Sequence, residues 1–217
     1  MNVPDERFDW LVQQHKPKSI VNPFLEVVDI AGLVKGAAQG EGLGNAFLSH
    51  IRQVDGIMHV MRAFDDGDIV HVEDSVDPVR DIEIITNELR SKDKEWVERR
   101  IGDLNKEKTK ANSNPAAKKE WQAEMDSCNK IMAWLDDGKD VRLGIGQGDA
   151  DHWNNKDVMY LNEYSLLTAK PVLFLINLSE EDYKRKKNKY LKPIHEWVCP
   201  TLPDPPPLEN ANVSPAG

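Results

Sequence analysis

A strand that runs straight into a glycine-rich loop leaves few folds open, and residues 24–50, FLEVVDIAGLVKGAAQGEGLGNAFLSH, have that form. Residues 24–30 are mostly apolar and rich in β-branched side chains, the pattern of a strand buried in an α/β sheet. The strand closes on Asp29, and Gly32, Gly36, Gly40, Gly42 and Gly44 follow. Leu43, Phe47, Ile51 and Val54 then recur at helical spacing, which predicts a helix over 43–54 ended by Asp55-Gly56. A second strand is expected at 57–61, and Pro78 stands where a helix begins. KPVLFLIN, residues 170–177, is the most apolar segment and gives a third strand. Strands alternating with helices pair in parallel, so the fold class is α/β with a parallel sheet.

About a hundred residues of mainly helical pattern separate the second and third strands. Ile82, Ile85, Leu89, Trp96, Ile101 and Leu104 form an irregular apolar stripe, whereas Trp121, Met125, Cys128, Met132 and Leu135 alternate spacings of four and three. Between them KTKANSNPAAKK holds Asn114-Pro115, a polar turn. The two helices either project as an antiparallel coiled-coil hairpin or pack on the sheet. GIGQGDADHWNNKD, from Gly144, reads as the loop by which the chain returns, and CPTLPDPPPLENANVSPAG as a disordered Pro-rich tail with six of the 13 prolines. The expected organisation is a first part of the sheet domain at 1–92, a helical hairpin at 93–140, a second part of that domain at 141–199 and the tail at 200–217.

Composition excludes several classes. With 217 residues, 40% hydrophobic and 30% charged, the chain is long enough for one domain carrying an insert. A formal net charge of -9 opposes general nucleic-acid binding, and no DNA partner is expected. No apolar run reaches the roughly 20 residues needed to span a bilayer, and MNVPDERFDW resembles no secretory leader, so a cytoplasmic protein without a membrane partner is expected. Cys128 and Cys199 lack metal-ligand spacing, consistent with a reducing compartment.

Asp29 and Gly32 form a D-x-x-G pattern at the strand end where open parallel sheets bind ligands. In nucleotide hydrolases such an Asp holds a water of Mg²⁺, and the Gly N–H approaches the γ-phosphate because no side chain intervenes. The pattern alone occurs roughly once in a few hundred positions, so an ordinary loop is the competing reading. Asn177 ends the third strand in NLSE, where guanine-nucleotide proteins carry Asn-Lys-x-Asp. There the Asp accepts two hydrogen bonds from guanine. Glu180 is one methylene longer and Leu178 replaces the Lys, which points to relaxed or adenine-preferring recognition.

Three blocks, DIAGLVKGAAQGEGLGNAFLSHIRQVDGIMHVMRAFDD, HVEDSVDPVRDIEIITNEL and KPVLFLINLSEEDYKRKKNKYL, resemble the Obg-like ATPases, the YchF-type branch of the translation-factor class of P-loop hydrolases. The resemblance covers about residues 3–198. It implies an OBG-type nucleotide domain with a coiled-coil insert, hydrolysis of ATP in preference to GTP with Mg²⁺, and association with ribosomes. It also implies adenine contacts at Asn177 and Leu178, with Glu180 in the base motif, and an Mg²⁺-water contact at Asp29. His71 matches the family's candidate for swinging toward the γ-phosphate; a solvated loop histidine is the alternative. Leu33 stands where many related hydrolases place a water-orienting Gln and cannot do that task. His50 and His59 are read as packing residues.

Two departures accompany the match. No G-x-x-x-x-G-K-[ST] phosphate cradle occurs in the 217 residues, and GIGQG at 144–148 lacks the Lys and hydroxyl that would follow. The C-terminal TGS domain of the family is not matched either. The resemblance therefore implies a truncated product or an incomplete gene model, with weak or absent ATP binding and turnover. The alternative is a non-catalytic protein or RNA interaction module. Lys184, Arg185, Lys186, Lys187 and Lys189 fit either a solvated helix face or a basic patch for ribosomal RNA.

Overall fold

The computed structural model describes residues 2–30, 50–65, 75–144 and 153–199. The chain divides into two units, Met1–Gly32 and Leu33–Gly217. In the first, helix α1 (Glu6–His15) is capped by the Asp5 carboxylate, which accepts from the Arg7 N–H at 2.9 Å. Lys16 closes it in the left-handed region at φ 39°.

Residues 24–30 do not form the strand that their composition predicts. Phe24 makes a single antiparallel bridge to Asn2, supported by Val3 N–H donating to Pro23 O at 2.9 Å, and residues 25–30 are irregular. The physical reason is that β-propensity requires a ladder to express it, and among the described residues this run makes one bridge, with Phe24, Val27 and Val28 all exposed.

In the second unit, residues 50–53 are helical and Ile51 is buried, while 43–49 of the predicted helix lie outside the described residues. The sheet consists of β1 (Ile57–Arg62) and β2 (Val172–Asn177), parallel and in register from Ile57 opposite Val172 to Arg62 opposite Asn177. Between them in sequence lie α2 (Pro78–Ala111), α3 (Pro115–Asp136), a 3₁₀ turn (Val141–Gly144), α4 (Asn155–Tyr164) and a second 3₁₀ turn (Leu167–Ala169). After β2 come α5 (Glu180–Arg185) and α6 (Leu191–Val198).

Local chemistry sets these boundaries. Asp77 caps α2 through Arg80 N–H at 3.1 Å, and Pro78 occupies the first turn, where its missing N–H costs nothing. Asn114 caps α3 through Ala116 N–H at 2.9 Å with Pro115 next, so the expected Asn-Pro turn is the hinge of an antiparallel helical hairpin. α2 runs unbroken for 34 residues, across the expected boundary between 92 and 93. Asn154 and Asp157 close a reciprocal capping box on α4.

Two apolar clusters hold the unit. The larger joins Val97 and Leu104 of α2 to Met125, Cys128, Ile131 and Leu135 of α3, with Leu161, Tyr164 and Leu166 beneath. Trp121 Nε1 donates to Leu104 O at 2.7 Å, and Glu124 accepts from Arg100 at 2.7 Å and from Tyr164 Oη at 2.8 Å. The smaller cluster, Met61, Ala63, Ile82 and Ile194, packs one sheet face against α2 and α6. There His59 lies 5.7 Å from the Phe174 ring and Trp197 meets that ring edge-on at 6.1 Å. Burial keeps His59 below the ordinary histidine range against the opposing charge of Asp81, so it packs as a neutral ring.

Candidate functional site

The C-terminal ends of β1 and β2 bring the second unit's chemistry-bearing residues together. Asn177 is the last residue of β2, exposed, and its carbonyl accepts from Ala63 N–H at 2.9 Å, which fixes the ends of both strands side by side. Leu178 turns inward and packs partly buried against the smaller cluster, as apolar contact rather than as the cation it replaces. Ser179 caps α5 by accepting from Asp182 N–H at 3.1 Å. Glu180 opens α5 on the surface and pairs with Lys184 one turn later.

The neighbouring loops are tied to this end. Asn188 Nδ2 donates to Ala63 O and to Asp182 Oδ2, both at 2.7 Å. Lys189 Nζ and Tyr190 Oη reach the two oxygens of Asp65 at 2.7 and 3.0 Å. Those bonds hold the Asp65 carboxyl below its usual range, with the Lys189 hydrogen bond the larger cause. Of the basic run, Lys184 pairs with Glu180, Arg185 with Glu181 and Lys189 with Asp65, so at least three of these cations are already partnered by carboxylates.

Asp29 is exposed in the irregular segment of the first unit, and Gly32, Leu33 and His71 lie outside the described residues. No three His, Cys, Asp or Glu side chains converge as a metal cage among the described residues. Mg²⁺ takes one or two carboxylates and completes its shell with phosphate oxygens and water. Asp29 would supply one water-mediated contact to such a shell.

Sequence reasoning missed the residue that fixes β2 in place. Asp93, fully buried on α2, accepts from Leu167 N–H at 2.8 Å and from Thr168 N–H and Oγ1 at 2.7 Å each. It caps the 3₁₀ turn that leads directly into β2. Burial pushes its carboxyl above the ordinary aspartate value, while the bonds from Thr168 and Leu167 pull it back. The signal was present as the gap between Leu89 and Trp96 in the apolar stripe, where Asp93 holds a core position four residues after Leu89 and four before the buried Val97.

A short parallel sheet packed on a helix-rich layer is the architecture of the P-loop GTPase class. A family model described as 50S ribosome-binding GTPase matches residues 9–101. The solved structure of the Schizosaccharomyces pombe YchF GTPase superposes with a TM-score of 0.72 at 49% identity, covering 91% of this chain and 50% of that one. Obg-like ATPase 1 of Oryza sativa subsp. indica is 57% identical over 196 residues, 90% of this chain and 47% of that protein. Human Obg-like ATPase 1 is 52% identical over 197 residues with the same coverage. Over about 90% of its length the chain is homologous to the Obg-like ATPase 1 proteins and similar to the YchF GTPase, and it spans about half the length of the curated relatives it matches.

Proposed function

We propose that the chain carries the base-recognition half of a nucleotide site of the Obg-like ATPase type. In a family member with a complete phosphate cradle the reaction is hydrolysis of ATP, with GTP a poorer substrate, to ADP and phosphate. The observation that supports this reading is the exposed Asn177 at the end of β2, beside Ala63 and followed by an apolar Leu178. A guanine-specific motif offers an Asp at the position of Glu180, and here that carboxylate is longer and engaged by Lys184. Asn177 and Leu178 are therefore assigned to the base edge. Asp29 is assigned to an Mg²⁺-bound water, Gly32 to the γ-phosphate and His71 to the attacking water. Mg²⁺ supplies neutralisation of phosphate charge when bound.

The same reading takes 1–92 and 141–199 as two parts of one nucleotide domain, 93–140 as an inserted hairpin and 200–217 as a tail. It places the protein in the cytoplasm with the ribosome as partner; no helix of the described residues is long and apolar enough to cross a membrane. A basic contact to ribosomal RNA through residues 184–189 must displace three existing ion pairs.

Because no phosphate-cradle motif occurs in these 217 residues, the chain alone should bind ATP weakly and turn none over. A titration of the purified chain with fluorescent ATP tests this. Binding weaker than about 100 µM fits the reading, since most phosphate donors come from the cradle, whereas Mg²⁺-dependent binding in the low micromolar range refutes it. The complete core of the α2–α3 hairpin favours one further use, a partner-binding module that works without turnover.

A further inference from the structure

We propose that the tip of the α2–α3 hairpin is a sequence-independent contact for the phosphate backbone of structured RNA. RNA is taken as the source of the phosphates on the ribosomal reading of the proposed function; the place of the contact follows from the hairpin alone.

The tip is where the two helices run beyond their core. Leu104 is the last buried residue of α2, with the Trp121 indole donating to its carbonyl at 2.7 Å, and Met125 is the first buried residue of α3. No residue from 105 to 120 is buried. In residues 105–122 five lysines stand against two carboxylates, in a chain whose formal net charge is -9. Lys106 pairs with Asp103, and Glu107 is held by Arg100. Lys108, Lys110, Lys118 and Lys119 are exposed and make no ion pair among the described residues. Lys108 Nζ lies 5.8 Å from the centre of the Trp121 ring, so the end of α2 and the start of α3 run side by side there. At a rise of about 1.5 Å per residue, all four lysines sit within roughly 6 Å, along the axis, of a helix end.

Helix stability accounts for half of this arrangement. Lys108 and Lys110 stand in the last turn of α2, where cations suit the helix dipole. Lys118 and Lys119 follow a first turn of α3 that holds no acidic residue, at the end where the dipole opposes cations. Their charge is therefore directed at an anion outside the chain. The 184–189 run behaves differently, since at least three of its cations are neutralised by carboxylates of the chain itself.

The residue types choose the partner. Every cation of the tip is a lysine, whereas protein interfaces favour arginine and deplete lysine. A lysine ammonium meets phosphate as a point charge, and a backbone contact of that kind carries no sequence information. A stable lipid contact adds apolar side chains that insert among the headgroups, and residues 111–117, ANSNPAA, offer nothing larger than Ala or Pro for that purpose. Each phosphate neutralised along a nucleic acid releases condensed counterions, which four clustered lysines on a solvated tip exploit at little desolvation cost.

Fluorescence anisotropy of a labelled RNA duplex titrated with the 217-residue chain, at about 50 and 200 mM salt, tests the contact. Wild type should bind with a dissociation constant on the order of 1 to 100 µM, and the logarithm of its affinity should fall with that of salt at a slope of about -3 to -4. Lys110→Gln, Lys118→Gln and Lys119→Gln combined should weaken binding at least about tenfold and flatten that slope by about 3. An unchanged circular dichroism spectrum checks that this variant is folded. Lys184→Gln, Arg185→Gln and Lys187→Gln combined should change affinity less than about twofold. No RNA binding by wild type, wild-type affinity in the tip variant, or an equal loss in the 184–187 variant overturns the proposal. Tighter binding to phosphatidylserine vesicles than to RNA overturns it as well. Cosedimentation with ribosomes separates the tip contact from the ribosomal reading. Ribosome binding indifferent to the tip variant overturns the contact and keeps the reading, whereas tip-dependent RNA binding without ribosome binding keeps the contact and overturns the ribosome as partner.

Discussion

Around Leu135 two long helices, α4 and two 3₁₀ turns bury their apolar side chains together, whereas among the described residues β1 and β2 pack on one face only. The difference lies in how each region satisfies its own requirements. A helix closes its backbone hydrogen bonds internally and needs only one stripe buried, so a hairpin completes its core with few partners. A sheet needs neighbours at both edges and both faces. Two parallel strands with a bare apolar face therefore depend on what the helical region holds in place, and Asp93 is the main polar link between them. β2 is thus anchored at its entry by an acid on α2, while its C-terminal end is tied to Ala63, which Asn188 also holds.

The largest expected effect falls on the helical core. Leu135→Ala opens a cavity in the larger cluster and should cost about 2 to 5 kcal/mol in a denaturant titration; a loss under about 1 kcal/mol would mean that this core is not the stable body of the unit. Asp93→Ala tests the link. It strands two buried backbone N–H groups and a hydroxyl, with an expected cost of about 2 to 4 kcal/mol, and Asp93→Asn, which keeps one acceptor oxygen, should cost less. Equal stability of Asp93→Ala and wild type would remove the link from the account. The smallest effect is expected on the bare sheet face, where Val60→Lys should change stability by no more than about 0.5 kcal/mol. A larger loss would show that something covers that face.

Much of this was legible in the sequence because local chemistry and tertiary packing agree. The Asn114-Pro115 turn became the cap and first turn of α3, and Pro78 the first turn of α2. The strands expected at 57–61 and 170–177 are observed at Ile57–Arg62 and Val172–Asn177. In α3 the stripe placed Met125, Cys128 and Leu135 in the core correctly, with Trp121 and Met132 at its margin. In α2 the stripe placed Ile82, Leu89 and Leu104 in the core but missed Val97. Val97 takes the buried position, while Trp96 lies at the margin with its ring 4.5 Å from Tyr164. A hydrophobic stripe cannot show that one core position is an acid whose partners lie about 75 residues further on. Residues 24–30 misled for the opposite reason: their composition suits a buried strand, but composition supplies no neighbouring ladder. The places of Asn177 at the end of β2 and of Glu180 just after it were legible from the apolar run, whereas the ties from Asn188, Lys189 and Tyr190 arise from long-range contacts that no local pattern encodes.

The most direct test of the central claim is hydrogen exchange of the intact chain, read by mass spectrometry on peptides from α2, α3, β1 and β2. Amides of Val97–Leu104 and Met125–Leu135 should exchange slowest and together, by global unfolding. Those of β1 and β2 should exchange faster, and Asp93→Ala should accelerate β2 while leaving the Met125–Leu135 amides the slowest of the chain. Slowest exchange in β1 and β2, with the hairpin opening first, would contradict the claim that the helical region holds the sheet.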